Sequence, residues 1–143
     1  METVSDLDEL LSNMKPRLRE GEYYLSSIDE SQMLLVAGYL DDMVDIFRES
    51  EGLSIVFSSK ILDEMKQISK SPPAGPFAWI SLDVYSDLMA VGFLAKITGV
   101  LAREKISVNA FSAFHHDHLF VPYGKRTDAM NLLGALVQSH KLP

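Results

Sequence analysis

"FAWISLDVYSDLMAVGFLAKITGVLAREKISVNAF", Phe77 to Phe111, is the stretch on which the fold turns. Its first eight residues alternate. Ala78, Ile80, Leu82 and Val84 share one face of an extended chain, and Trp79, Ser81 and Asp83 share the other, which is the signature of a half-buried strand. The period then changes. Across "DLMAVGFLAKITGVLAREK" the residues Ala90, Leu94, Ile97 and Leu101 fall on one helical stripe, and Arg103 and Lys105 gather in the last turn, where the helix dipole favours cations. "ISVNAFSAF" reads as a second strand. Beyond it come a turn at "HHDH" (His115 to His118), a strand "HLFVPY" and a helix "TDAMNLLGALVQS" with Met130, Leu133 and Val137 as its stripe.

The order is strand, helix, strand, turn, strand, helix. A strand–helix–strand crossover is right-handed and makes parallel neighbours. The hairpin adds an antiparallel strand, which gives most of the split β-α-β pattern called ferredoxin-like. The final strand of that pattern is missing, since "HKLP" is all that remains. The sequence predicts that "EYYLSSI" (Glu22 to Ile28) fills the slot from the N-terminal side.

Working toward the N-terminus, "SPPAGP" (Ser71 to Pro76) has too much proline and glycine for regular structure and marks a linker over 72–76. Before it, "SKILDEMKQISK" is helical, and "MVDIFRESEGLSIVF" is a hairpin with Gly52 supplying turn freedom. Residues 29–42 read equally as strand, helix or packed loop. "DLDELLSNM" is a helix with Ser5 as its N-cap, stopped by Pro16. The expected class is α+β: a shortened N-terminal module over 1–71 and a fuller one over 77–143.

Composition removes several function classes. The 143 residues are 47% hydrophobic and 23% charged, as in globular proteins. The formal net charge of −7, with no basic patch, argues against nucleic acid and anionic membrane surfaces as partners. There are no cysteines, so disulfide scaffolds, thiol nucleophiles and thiolate metal sites are excluded. The acidic start and the lack of a long apolar run predict a cytoplasmic chain.

Three stretches carry a family resemblance: "FRESEGLSIV", "SDLMAVGFLAKITGVLAREKISVNAF" and "HHDHLFVP". Through them the sequence resembles the ACT-domain family, and within it small bacterial tandem ACT proteins without an assigned activity. The second half matches over nearly all of 77–139, the first half mainly at the hairpin. The resemblance implies tandem ferredoxin-like (βαββαβ) modules, a small bound ligand such as an amino acid, a regulatory role and a homodimer. It implies no cofactor and no catalytic activity of the chain's own. One departure is local: many ACT ligand loops carry a Pro-Gly step, and this loop has Gly92 but no proline.

The loop from Tyr85 to Gly92 is the first candidate for binding, because it leaves a strand and opens a helix. Its backbone N–H groups, over Ser86, Asp87, Leu88, Met89, Ala90, Val91 and Gly92, are expected to receive a carboxylate at the positive end of the dipole. Asp87 is expected to cap the helix or to accept an ammonium group. Arg48 either clamps a carboxylate or pairs with Glu49 or Glu51. Asn109 is a polar group in mid-strand that can bond a ligand or a local backbone group. The cluster His115, His116, Asp117 and His118 offers metal ligands or an acid–base centre. On a hairpin, however, neighbouring side chains diverge, so a turn with Leu119 and Val121 entering the core is expected, and no metal. The resulting expectation is an amino-acid-binding regulatory protein whose ligand sits between its halves or subunits. The alternatives are a metal-dependent enzyme centred on His115–His118 and an interaction module without ligand.

Overall fold

The structure, a computed structural model, describes residues 6–84 and 86–141. In chain order its elements are α1 (Leu7–Asn13), β1 (Lys15–Leu18), β2 (Tyr23–Ile28), α2 (Met33–Ala37), β3 (Met43–Glu49), β4 (Gly52–Ser58), α3 (Leu62–Ile68), β5 (Ala74–Asp83), α4 (Phe93–Arg103), β6 (Asn109–Ser112), β7 (Asp117–Pro122) and α5 (Arg126–Ser139). Two compact units result. One is Gly21–Phe77, and the other joins the segment ending at Glu20 to everything from Ala78 onward. The expected division at 72–76 follows chain order; in the structure the N-terminal segment groups with the C-terminal half.

In the Gly21–Phe77 unit the strands lie in the order β3–β4–β2–β5, with β5 contributing its residues up to Phe77. This is a βαββαβ module whose shortening lies in its helices. The ambiguous segment 29–42 is helical: α2 stands between 3-10 turns at Glu30–Gln32 and Leu40–Asp42. The β3–β4 hairpin forms as predicted, with Glu49 opposite Gly52. Gly52 has φ 141°, and a Cβ there would sit 2.4 Å from the Ile28 carbonyl oxygen, so the turn requires glycine. Ile28, Val36, Leu53, Ile55, Phe57, Ile61 and Met65 form the core.

"SPPAGP" is more regular than its composition suggests, because Ala74–Pro76 already belong to β5. Proline is tolerated there because the pairing with β2 is irregular, shifting register between Tyr23 and Leu25.

In the second unit the strands lie in the order β1–β5–β7–β6. β7 stands between β5 and β6, so the two strands flanking α4 are not sheet neighbours. The slot expected for "EYYLSSI" is filled by β1 instead, antiparallel to β5 from Lys15↔Asp83 to Leu18↔Ile80, while "EYYLSSI" pairs with β4 in the other unit. Ser5 lies outside the described residues; Asp6 caps α1, its carboxylate accepting the Glu9 N–H at 3.0 Å. The helix-side face of β5 behaves as its alternation predicts. Ala78, Ile80, Leu82 and Val84 are buried with Leu119 and Val121 of β7 and with Phe93, Ile97 and Leu101 of α4. Burying the Ile, Leu, Val and Phe side chains among them contributes about 1.5–3 kcal/mol each. α1 and α5 complete this core through Leu10, Leu11, Leu133 and Val137.

Candidate functional site

α4 begins later than its periodicity suggests. Residues 87–92 are not helical, and Gly92 is the N-cap, with φ 91° in the left-handed region and no side-chain cap bond. The first intrahelical bond runs from the Lys96 N–H to the Gly92 carbonyl at 3.0 Å. The N–H groups of Phe93, Leu94 and Ala95 therefore have no acceptor within the helix, and no acidic residue stands in the first turn. The open donors of the helix are these three; in the loop before it, the N–H groups of Met89 and Ala90 are already bonded to Asp87. Ala90, expected on the helical stripe, stands before the helix and only flanks the core.

Asp87 is not the cap of α4. Its carboxylate accepts the Met89 N–H at 2.8 Å and its carbonyl accepts the Ala90 N–H at 2.9 Å, closing a tight local turn ahead of the Gly92 cap. This turn brings the loop around the helix end. A cleft of about 150 Å³ results, lined by Ser86, Asp87, Leu88, Ala90 and Gly92, by Phe93, Leu94 and Ala95, and by Ser112 and Asp117. Much of the predicted loop thus lines one cleft. Met89 and Val91 do not; they are 84% and 85% exposed.

Asn109 opens β6 opposite Phe120 and does not line the cleft. Arg48 lies in the other unit, where it pairs with Glu30 rather than with Glu49 or Glu51. Both side chains are mostly exposed, so the pair contributes little.

Sequence reasoning misses Asp117 as a cleft residue. It reads as a turn aspartate, yet it begins β7, pairs with Ser112 and is 8% exposed. A signal exists: in a strand, Asp117 shares the face of Leu119 and Val121, the two residues expected in the core.

The histidines divide. The turn is closed by the Ala113 N–H to the His116 carbonyl at 3.0 Å. His115 is exposed there, whereas His116 places Nδ1 3.1 Å from the Val84 carbonyl oxygen, tying the turn to the end of β5. His118 lies on the opposite face of the sheet from Asp117. Its Nδ1 accepts the Trp79 indole N–H at 3.0 Å and lies 3.3 Å from Ser81 Oγ, which in turn accepts from Arg19 at 3.1 Å. Burial, then the neighbouring His116 and Arg19, push the His118 imidazole below its ordinary pKa. Arg19 lies 4.0 Å over the Trp79 ring, and Trp79 stacks on Phe120. Among the described residues, no group of three or more His, Asp or Glu side chains is placed to hold a metal ion. The histidine cluster works as turn, tether and acceptor.

The fold defines the class: a tandem of ferredoxin-like modules, each with a strand–loop–helix opening. The ACT-domain pattern matches twice, at residues 76–135 and at residues 2–67. A solved structure from Vibrio cholerae, a protein of unknown function described as a possible transport protein, is 31% identical, with a TM-score of 0.75 over 92% of this chain and 96% of that one. An Agrobacterium tumefaciens protein is similar at 19% identity and TM-score 0.67, over 87% and 89% of the two chains. The ligand-free regulatory subunit of aspartate kinase from Thermus thermophilus shares the fold at 10% identity and TM-score 0.61, over 85% and 95%. No curated protein sequence matches the chain. The chain belongs to the ACT-domain family.

Proposed function

We propose that this protein is a regulatory module that binds a small molecule of the amino-acid class in the cleft before α4, and that it performs no chemistry on it. The observation that carries this reading is the open N-terminus of α4. Three backbone donors and the positive end of an 11-residue helix face a cleft, with no capping side chain to occupy them. A carboxylate suits that place. At about 150 Å³ the cleft falls below the roughly 300–1,000 Å³ of drug-sized pockets, which favours a small ligand. Regulatory use agrees with the family and with fold neighbours such as the aspartate kinase regulatory subunit. The exposed Leu88, Met89 and Val91 around the cleft suit a homodimer contact that would close it.

The test is thermal-shift and calorimetric screening against the standard amino acids at millimolar concentration. A ligand that prefers the native state raises the melting temperature by mass action. At least one amino acid should do so. If none produces a shift or binding heat, the regulatory reading fails.

A further inference from the structure

We infer that Asp117 is the group in this cleft that receives a ligand's ammonium, which makes the site selective for zwitterions over simple carboxylates. The inference rests on the proposed binding reading and extends it to a residue and a ligand chemistry. Asp117 is 8% exposed and lines the cleft together with the open end of α4. A nine-tenths buried carboxylate ordinarily has a hydrogen-bond or charge partner. Among the described residues, no hydrogen bond or ion pair uses its side-chain oxygens. Among those residues, too, no fully enclosed side-chain oxygen or nitrogen lacks a partner, so the remaining open edge of Asp117 faces the cleft it lines.

Two complementary features therefore share one small volume. The helix end presents donors and partial positive charge, and the start of β7 presents a full negative charge. A carboxylate alone satisfies the first and is repelled by the second; an amine alone does the reverse. An α-amino acid, with its two charged groups on one carbon, satisfies both. Asp87 is the weaker candidate for the ammonium, because its carboxylate is already committed to the Met89 N–H at 2.8 Å.

The experiment is calorimetry of the full chain with glycine, L-alanine, acetate, propionate and methylamine, on the wild type and on Asp117→Asn and Asp87→Asn. Glycine or alanine should bind at least about tenfold more tightly than acetate, propionate or methylamine. Asp117→Asn should lose about tenfold or more in affinity for the amino acid, the loss expected of a hydrogen bond to a charged group. Asp87→Asn should change it by less than about threefold. Acetate or methylamine binding as tightly as glycine overturns the assignment while leaving the cleft as a binding site, and so does an Asp117→Asn variant that binds glycine like the wild type. Should Asp117→Asn fail to fold, the wild-type ligand series decides alone. If none of the five probes binds the wild type, the assignment of Asp117 as a general zwitterion group falls, and the binding reading falls with it only if the screen of the standard amino acids is empty too.

Discussion

The indole N–H of Trp79 donates to Nδ1 of His118 on the face of the sheet opposite Leu119 and Val121, at 3.0 Å. Because indole can only donate, this bond fixes His118 as an acceptor at Nδ1. Protonating the ring would turn that acceptor into a donor facing a donor. The charged groups around it are Arg19 and His116, which oppose protonation, and Asp117 and Asp83, which favour it less strongly than burial disfavours it. The His118 pKa is therefore lower in the folded than in the unfolded chain, where it is about 6.5. The neutral ring's contribution to stability is complete above that unfolded value. It is lost as the pH falls through that value toward the lower folded pKa. Melting temperature measured from pH 8 to pH 5 should decline more steeply for the wild type than for His118→Gln, and parallel curves would show that His118 does not titrate between the states.

Arg19 serves this face twice, lying over the Trp79 ring at 4.0 Å and donating to the fully buried Ser81 hydroxyl. Lysine keeps the charge but lacks the planar fork. Arg19→Lys should cost about 1–2 kcal/mol in chemical denaturation, while a change near zero would mean that solvent already competes for both contacts.

Two glycines of the same segment should respond with opposite signs. Gly92 holds φ 91°, so alanine there strains the backbone by about 1–2 kcal/mol although its Cβ would meet the Leu7 side chain at an ordinary 3.6 Å. Gly99 lies inside α4, and a Cβ added there would meet nothing within 4 Å, so alanine should stabilise by about 0.5–1 kcal/mol. Urea denaturation of the two variants checks the pair.

Arg48→Ala should leave stability within about 0.5 kcal/mol, since both it and its partner Glu30 are well solvated. Amino-acid affinity should not change either. A marked loss of affinity, read by calorimetry, would move the site to the Gly21–Phe77 unit.

Most of the second unit is legible in the sequence because its elements are long and strongly periodic. The alternation of Phe77–Val84 and the spacing of Ile97 and Leu101 each have one good interpretation. β1 is not legible. "KPRL" is too short to show a period and carries a proline. It becomes a strand through its pairing with β5 and through Arg17, which meets Asp83 at 2.9 Å. Such information is tertiary, and the same gap sends "EYYLSSI" to the wrong module. At the site, Gly92 is the readable signal, but the run "DLMAV" before it mimics helical spacing, which displaces the expected helix start and with it the role of Asp87. Asp117 is hidden by its neighbours, since the surrounding histidines invite a reading about metal rather than about strand phase.

The most direct test of the central claim is amide chemical-shift mapping of the isotopically labelled protein, titrated with the tightest-binding amino acid from the screen. Ligand bound at the open helix end should move the amides of Phe93, Leu94 and Ala95 most, with smaller changes at Ser86, Gly92 and Asp117. Changes centred instead on Arg48 to Gly52, or on the histidine turn with the α4 amides unmoved, would contradict it.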